Sequence, residues 1–353
     1  MRIFLVAGEK SGDDHASKVM QEIKRQNPNT EFQFWGGDAM EEVSPGGLLK
    51  HYKNHAYMGV LEVIKNLRAI FRNLKLCKQQ IEAFNPEVLV LVDYPGFNLR
   101  IAKFAKLLGI KTVYFIAPQL WAWKKNRYKI IKQWVDELCV ILPFEKPFFK
   151  ALGVASHYVG HPLLEEVSGT VELGHKIALL PGSRVQELER MLPLFQELAE
   201  LNPDKSFLVC GVKSMPIEMY NSILSLPNVE MEFGGMKACL GQCQRALVTS
   251  GTATLESALY GIPLAVVYKT SGLTYRIAKM LIKVKYISLV NLILDRPAVP
   301  EFIQDEANIH NLNSWLNDAE VGVIQANMFK ELKDKLSVNT KASEAVANVV
   351  LNA

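Results

Sequence analysis

Short apolar runs of four or five residues alternate along this chain with stretches in which apolar residues recur at helical spacing. In the first part of the chain these runs lie at residues 3–7, 88–92, 112–116 and 138–142. Each run is apolar on both faces, which is typical of parallel strands covered by helices on either side. The βαβα alternation therefore predicts an α/β fold with a doubly wound sheet.

A second series of apolar runs begins near Lys176. Its members lie at residues 177–180, 207–210, 246–248 and 264–267. Between the two series, residues 161–175 contain Pro and Gly and lack a strong period, which is typical of a linker. We therefore expect two Rossmann-like domains that face a central cleft, residues 1–165 and 170–338. Ala and Val repeat at helical spacing at about residues 340–353, which predicts a C-terminal helix. We expect this helix to pack back on the first domain.

Charge, hydropathy and cysteine content narrow the functional classes. A formal net charge of +4 over 353 residues is too small to indicate a nucleic-acid-binding surface. No apolar stretch approaches the ~18 residues that a membrane span needs, and the start of the chain lacks the pattern of a signal peptide. Cys77, Cys139 and Cys210 lie in apolar runs and are expected to be small buried hydrophobes. These features predict a cytoplasmic protein.

In a doubly wound sheet, ligands bind at the carboxyl ends of the strands, so the loops after the strands are the candidate sites. Residues 8–13 follow the first strand, where glycines permit close backbone approach and a helix start offers N–H groups to an anion. An ordinary strand-to-helix turn explains the same loop equally well. The candidate cleft residues of this loop are Gly8, Glu9, Ser11 and Gly12.

Asp93 ends the most apolar strand of the chain, residues 88–92. Partial desolvation at this position raises the pKa of a carboxyl group, which suits a general base that removes a proton from a hydroxyl. The alternative is a helix N-cap, because Asp is a favoured cap and Pro95 follows it. After the next strand, Trp121 and Trp123 lie beside cations, which suits stacking on a sugar or covering a lipid headgroup, or simple packing in the cleft wall.

Two loops of the second domain suit a nucleotide diphosphate. Arg184 follows a strand–Gly turn, where a guanidinium can bind phosphate bidentately. Ser250, Gly251 and Thr252 open a second helix and expose N–H groups to phosphate, and Glu256 can accept hydrogen bonds from a ribose diol. Ordinary helix capping is the alternative. The chain has no Asp-x-Asp pair, so we expect no metal and no cofactor.

An amphipathic segment covers residues 57–75. Its apolar stripe includes Val63, Leu67 and Phe71, and residues 63–81 contain five lysine and arginine residues with no acid among them. Such a helix suits a membrane interface or contact with acyl chains. The alternative is a helix that packs on the sheet.

Taken together, these segments resemble the lipid-A-disaccharide synthases, which are glycosyltransferases of the GT-B architecture (family 19). The similar segments follow the family's order from residue 8 to about residue 304. They are residues 8–13, 58–63, 93–98, 121–123, 142–145, 160–162, 180–184, 250–256, 288–292 and 299–301. Gly96 stands where the family often has a second Asp, and Val290 stands where Pro is common.

The resemblance implies an inverting transfer of 2,3-diacylglucosamine from its UDP derivative to the 6-hydroxyl of 2,3-diacylglucosamine 1-phosphate. The products are a β-1,6-linked precursor of lipid A and UDP. It implies that Asp93 is the general base and that Arg184, Thr252, Glu256 and Asn291 lie near the donor nucleotide. It also implies a peripheral protein on the inner face of the inner membrane and, as in some members, a homodimer.

Other readings of the motifs stay open at this point. Another GT-B enzyme that uses UDP-N-acetylglucosamine, such as a peptidoglycan lipid transferase or a 2-epimerase, shares single motifs of the set. A non-catalytic UDP-sugar sensor, which docks on membranes through residues 58–75, is the alternative from a different class.

Overall fold

The computed structural model describes residues 1–54, 67–123, 125–167, 173–281 and 284–353. The chain divides into two compact units. Unit 1 consists of Met1–Glu165 and Val338–Ala353, and unit 2 consists of Glu166–Ser337. Each unit contains a parallel sheet with helices against it, which confirms the α/β fold class.

In the described part of unit 1, seven parallel strands form one sheet in the order β3-β2-β1-β4-β5-β6-β7. The strands are β1 Arg2–Ala7, β2 Glu31–Gly36, β3 Leu48–His51, β4 Val88–Val92, β5 Lys111–Phe115, β6 Glu137–Val140 and β7 His157–Tyr158. β1 pairs with β2 on one side and with β4 on the other. The direction of strand addition therefore reverses between β1 and β4, which is the switch point where doubly wound sheets bind ligands.

Helices cover both faces of this sheet. They are α1 Lys10–Gln26, α2 Asp38–Val43, α3 Leu67–Phe84, α4 Pro95–Leu107, α5 Tyr128–Trp134, α6 Glu145–Ala151, α7 Leu163–Glu166 at the unit boundary, and α16 Ala342–Leu351. α1 and α16 share one core cluster, whereas α3, α4 and α5 share the other. In α3, Leu74, Cys77 and Ile81 recur at helical spacing and are buried against the sheet.

Unit 2 has a six-stranded parallel sheet in the order β10-β9-β8-β11-β12-β13, as far as its residues are described. The strands are β8 Lys176–Leu180, β9 Phe207–Cys210, β10 Val229–Glu232, β11 Cys243–Thr249, β12 Leu264–Tyr268 and β13 Glu301–Ile303. The helices are α8 Val185–Leu201, α9 Asn221–Leu224, α10 Met236–Leu240, α11 Thr252–Leu259, α12 Gly272–Leu281, α13 Leu289–Leu294, α14 Ile309–Asn317 and α15 Val321–Leu336. The switch point of this sheet lies between β8 and β11.

The C-terminal helix α16 belongs to unit 1. The backbone N–H and the hydroxyl of Ser343, in its first turn, donate to the two carboxylate oxygens of Glu165 at 2.8 and 2.7 Å. These bonds satisfy a free N–H at the helix start, and the helix packs along α1. Glu165 thus fastens the returning chain to unit 1.

The expectation that Cys210 is simply a buried hydrophobe is wrong. Cys210, at the end of β9, is joined in a disulfide to Cys239 in α10, with the two Cα atoms 6.0 Å apart. Parallel pairing of β9 with β10 brings these distant positions together, and no local pattern in the sequence signals it. Cys77, Cys139 and Cys243 are buried free thiols.

Part of the predicted amphipathic segment, including Val63, lies outside the described residues. Its later part forms the start of α3, where Leu67 and Phe71 are exposed. Within the described ranges, no helix is long and apolar enough to cross a membrane.

Candidate active site

The loops after β1 and β4 lie side by side in unit 1, because Ala7 and Val92 are paired at the ends of these strands. Gly8 and Asp93 follow them directly. A Cβ atom on Gly8 would lie 2.4 Å from Cγ of Tyr94, so any larger residue would overlap the Tyr94 ring. Gly8 is therefore needed for the close approach of these two loops.

The backbone at Asp93 and Tyr94 is left-handed, with φ values of 46° and 49°. This conformation is uncommon for residues other than glycine and persists only where the surroundings enforce it. The Asp93 N–H donates to the carbonyl oxygen of Phe115 at 2.9 Å. The Tyr114 hydroxyl and the Asn98 side-chain amide donate to the Asp93 carbonyl oxygen at 2.6 and 2.8 Å. Three hydrogen bonds thus hold a turn that aims the carboxylate away from the sheet.

Asp93 is half-buried, and Tyr94 rather than Asp93 occupies the N-cap position of α4, so the helix-cap alternative does not apply. Burial raises the pKa of the Asp93 carboxyl to about 6, and the negative charge of Glu9 adds to the rise. A hydrogen bond from the Tyr94 N–H opposes it. Ser11 donates its hydroxyl proton to Glu9 at 3.2 Å. A carboxylate with a pKa near neutrality suits a general base.

A cavity of about 220 Å³ opens beside Asp93. Its lining includes Ile116, Trp123 and Arg127. Ile116 has a φ of 63°, which is exceptional for a β-branched residue, so two strained positions, Asp93 and Ile116, line the cavity. Trp123 also lines the cavity and is 47% exposed.

Trp121 has a different environment from Trp123. Its indole N–H donates to the buried carboxylate of Glu145 at 3.1 Å, and its ring meets the Phe144 ring edge to face. Glu145 also accepts the backbone N–H of Leu142 at 3.0 Å. Burial raises the pKa of Glu145 to about 7, and these donors oppose the rise. Glu145 has no predicted role, although an acid in the loop region that follows β6 was a usable signal.

Gly12 is buried at the start of α1, where a Cβ atom would lie 3.4 Å from Cβ of Ala7. This is an ordinary van der Waals distance, so the position has room for a Cβ atom. Glu9 is the residue of this loop whose charge reaches Asp93.

At the switch point of unit 2, Leu180 is paired with Val248, so the loop that contains Arg184 lies beside the loop that opens α11. The Arg184 guanidinium is exposed and donates to Glu187 at 2.9 Å. The backbone N–H of Ser183 donates to the other oxygen of the same carboxylate at 2.9 Å. Glu187 therefore occupies two donors of the predicted phosphate loop, and a diphosphate would have to compete with it for them.

The N-terminus of α11 is open to ligands. Gly251 and Thr252 are exposed, and the hydroxyl of Ser250 donates to the Ile287 carbonyl oxygen at 3.1 Å. In the described structure no side chain caps this helix. The first-turn N–H groups and the positive end of the helix dipole can therefore bind an anion.

Glu256 lies one turn into α11 and is half-buried. Burial raises its pKa to about 7, and the charge of Glu166 adds to the rise. Among the described residues, no donor bonds its carboxylate. A half-buried carboxylate without a donor suits recognition of the hydroxyls of a bound ligand.

Asn291 is buried, and its side chain makes four hydrogen bonds. The amide nitrogen donates to the carbonyl oxygen of Val299 and to Glu301, each at 2.8 Å. The amide oxygen accepts the N–H groups of Ala298 and Val299 at 2.8 and 2.9 Å. Glu301 also accepts the N–H of Ser288 at 2.9 Å. These bonds use the full capacity of the Asn291 amide, so its side chain has no hydrogen-bonding group left for a nucleotide and instead holds the loop at residues 298–301.

A larger cavity of about 630 Å³ lies at the ends of β12 and β13, and its lining includes Arg190, Lys269, Thr270 and Gln304. The Gln304 side chain accepts the Thr270 N–H at 2.7 Å and donates to the Thr270 carbonyl oxygen at 3.1 Å. Gln304 thus fixes the loop after β12. No sequence pattern predicts this cavity, because its lining residues come from three separate segments.

Two parallel α/β units, each built on a doubly wound sheet, define the GT-B fold class. Solved structures agree on the fold. A UDP-GlcNAc 2-epimerase from Neisseria meningitidis bound to UDP-GlcNAc matches with a TM-score of 0.67 and 14% identity, covering 100% of both chains. MurG from Acinetobacter baumannii matches with a TM-score of 0.58 and 13% identity, covering 100% of this chain and 99% of that one.

Sequence comparison identifies the family. The profile of the family described as lipid-A-disaccharide synthetase matches residues 3–347. Lipid-A-disaccharide synthase 1 from Legionella pneumophila (strain Philadelphia 1) is 37% identical over 95% of this chain and 93% of its own length. The lipid-A-disaccharide synthase of Nitrosococcus oceani is 35% identical over 99% and 96%. The chain belongs to the lipid-A-disaccharide synthase family, and it is a glycosyltransferase of lipid A biosynthesis.

Proposed function

We propose that the chain transfers 2,3-diacylglucosamine from its UDP derivative to the 6-hydroxyl of 2,3-diacylglucosamine 1-phosphate. Family membership supports the reaction. The observation that carries the residue assignment is the Asp93 carboxylate, which is held on a strained turn beside a cavity and has a pKa raised to about 6. The epimerase, peptidoglycan transferase and sensor alternatives are not favoured by the relatives.

In this proposal Asp93 is the general base. The acceptor 6-hydroxyl attacks the anomeric carbon of the donor sugar, and Asp93 takes the hydroxyl proton as the new C–O bond forms. The bond from the anomeric carbon to the UDP oxygen breaks, with inversion at that carbon. A base whose pKa lies just below physiological pH is mostly ionised and still accepts a proton effectively.

The leaving UDP carries its charge on the diphosphate. We assign its stabilisation to Arg184 and to the N–H groups at the start of α11, since both act on charge that develops as the bond breaks. Glu187 would have to release Arg184 and the Ser183 N–H when the diphosphate arrives. Glu256 is assigned to the ribose hydroxyls, because its carboxylate is half-buried and accepts no hydrogen bond from a described residue.

A UDP-release assay tests the reaction. The purified full chain is incubated with the UDP-sugar donor alone, with the acceptor alone, and with both. UDP release that requires both substrates, together with a disaccharide product, is expected. Release without acceptor would indicate a hydrolase, and binding of the donor without release in any mixture would favour the sensor.

We also propose that unit 1 works at the inner face of the inner membrane, docked through the surface of α3, α4 and α5. These helices share one core cluster and so cover the same face of the sheet. Several of their apolar residues, and others in the adjoining loops, are exposed: Leu67, Phe71, Leu76, Leu107, Leu108, Trp123 and Ile130. Large exposed apolar side chains grouped on one face are typical of an interaction surface.

The charge of the same face supports a membrane partner. Residues 94–135 contain nine lysine and arginine residues and no aspartate or glutamate, although the whole chain has a net charge of only +4. Each basic residue near an anionic lipid surface contributes about 1 kcal/mol to binding. Exposed apolar side chains on a segment rich in cations therefore suit an anionic bilayer.

Vesicle sedimentation tests this surface. The Leu67→Ser/Phe71→Ser variant, with or without Val63→Ser, should lose sedimentation with vesicles that contain anionic lipid. The matched control is Val323→Ser/Ile324→Ser, which removes two equally exposed apolar residues from α15 in unit 2. Equal sedimentation of the two variants, at the wild-type level, would contradict the assignment.

The family resemblance also leads us to propose a homodimer. Sedimentation equilibrium of the full chain should give twice the chain mass of 39.6 kDa. A single species at the chain mass would contradict it.

A further inference from the structure

The cavity beside Asp93 contains a cation that the proposed chemistry has not used. Arg127 ends the 3₁₀ turn Lys125–Arg127 and is half-buried in the lining of this cavity. Among the described residues it makes no hydrogen bond or ion pair. Its guanidinium lies over the ring of Trp123, 5.9 Å from the ring centre. A half-buried guanidinium has five N–H donors, and leaving them without acceptors is unfavourable.

Asp93 and Arg127 both line the cavity and carry opposite charges. Both charges are felt by the Tyr114 hydroxyl: that of Asp93 raises its pKa and that of Arg127 lowers it. The two residues make no ion pair with each other, since no carboxylate of the described residues bonds Arg127. The cavity therefore offers a base at one place and a separate, unpaired cation at another.

We propose that Arg127 binds the 1-phosphate of the acceptor sugar and selects the acceptor over the donor. This rests on the proposed function. In a glucosamine 1-phosphate, the 6-hydroxyl group and the phosphate are carried on opposite sides of the ring oxygen. When Asp93 takes the proton of the 6-hydroxyl, the phosphate points away from Asp93 and meets the guanidinium. A guanidinium binds phosphate through two parallel N–H···O bonds.

Selection is needed because the two substrates share the same diacylglucosamine and differ at C1, which carries phosphate in the acceptor and UDP in the donor. The cavity, at about 220 Å³, is smaller than the usual pocket for a drug-sized ligand. A space of this size suits one sugar headgroup and its phosphate better than it suits a nucleotide. Trp123, which stacks on Arg127, fixes the direction of the guanidinium.

The assignment is tested by measuring kcat/KM of the wild type and of Arg127→Ala with each of two acceptors. The acceptors are 2,3-diacylglucosamine 1-phosphate and the same sugar without its phosphate. For the wild type, removal of the phosphate should lower kcat/KM about 10- to 100-fold. For Arg127→Ala, kcat/KM with the phosphorylated acceptor should fall by a similar factor, and the preference for the phosphate should nearly vanish. Arg127→Lys should retain part of that preference, and the donor KM should be unchanged in both variants.

The matched control is Lys125→Ala, which removes an exposed cation of the same turn and should keep the wild-type preference. A purely structural role of Arg127 would lower kcat/KM equally with both acceptors, so an unchanged preference in Arg127→Ala overturns the inference. A wild type that turns over but shows no phosphate preference also overturns it and leaves the proposed function intact. A wild type that releases no UDP with either acceptor contradicts the proposed function instead. Circular dichroism of each variant confirms that it is folded.

Discussion

The carboxyl edges of the two sheets differ in chemistry although their topology is alike. At the edge of unit 1, Asp93 and Glu145 are buried or half-buried carboxylates whose pKa values are raised to about 6 and 7. At the edge of unit 2, the residues near the switch point are an exposed arginine and an uncapped helix start, at Arg184 and Thr252. In the proposed function, one edge exchanges a proton and the other binds the diphosphate.

The two edges also differ in which residues take a positive φ. In unit 1 the reactive carboxylate depends on left-handed residues that are neither glycine nor asparagine, and several hydrogen bonds hold them in place. In unit 2, the phosphate loop takes its positive φ at a glycine, Gly182, with φ 107°. Strain at one edge fixes a single side chain, whereas the other edge presents backbone N–H groups together with the exposed Arg184 side chain. The comparison suggests that substitutions at the two edges will damage different steps.

The largest expected effect is that of Asp93→Asn. The amide cannot take the acceptor proton, so kcat should fall by about 100- to 10,000-fold, measured by UDP release with both substrates saturating. The control is Glu82→Gln, which removes an exposed carboxylate on α3 and should leave kcat at the wild-type level. A kcat within a few-fold of wild type in Asp93→Asn would remove Asp93 from the mechanism.

Arg184→Ala should weaken binding of the nucleotide part of the donor substrate. Loss of a charge-assisted phosphate contact should weaken UDP binding about 10- to 100-fold, as measured by calorimetric titration. Lys330→Ala, at an exposed position of α15, is the matched control. Unaltered UDP affinity in Arg184→Ala would show that the guanidinium remains paired with Glu187 when UDP is bound.

Glu256→Gln should weaken UDP binding and, at high pH, make the fold more stable. UDP affinity should fall about tenfold, because a neutral amide accepts hydrogen bonds from the ribose less strongly. The pKa of Glu256 is raised from 4.5 to about 7, so this carboxyl favours folding below pH 4.5 and loses that contribution as the pH rises through 7. The variant should therefore have a higher Tm than wild type at pH 8.5 and nearly the same Tm at pH 4. A lower Tm at pH 8.5 would contradict a destabilising buried charge.

The smallest expected effect is a shift in the pH profile. Only ionised Asp93 accepts a proton, so kcat/KM should fall about tenfold per pH unit below pH 6. Glu9→Gln removes a negative charge that raises the pKa of Asp93, so this acid limb should move to lower pH. A limb that stays in place in Glu9→Gln would assign the titration to another group.

The sequence predicts the central strands well and the edge strands poorly. Residues 88–92 and 177–180 are apolar on both faces, because helices cover both sides of the sheet there. β3 and β10 lie at sheet edges and contain Lys and Glu, so they show no apolar run. Edge strands have one unpaired side and tolerate polar residues, which removes the signal.

In the candidate site, the place of Asp93 at a strand end can be predicted from the sequence, but the residues that contact it in space cannot. The rule that ligands bind at strand ends applies to any sheet of this class, whereas Glu145 and Gln304 act through contacts with Trp121 and Thr270 that only the folded chain brings together. Glu187 is three residues from Arg184, yet its role depends on the shape of the loop. Local patterns thus locate the loops, and tertiary contacts decide what each loop can bind.

Titration of UDP into the Asp93→Asn variant tests most directly the claim that proton transfer and nucleotide binding are divided between the two edges. We expect a Kd for UDP within about threefold of wild type in the same preparation that has lost turnover. A loss of UDP affinity as large as the loss of turnover would contradict that division.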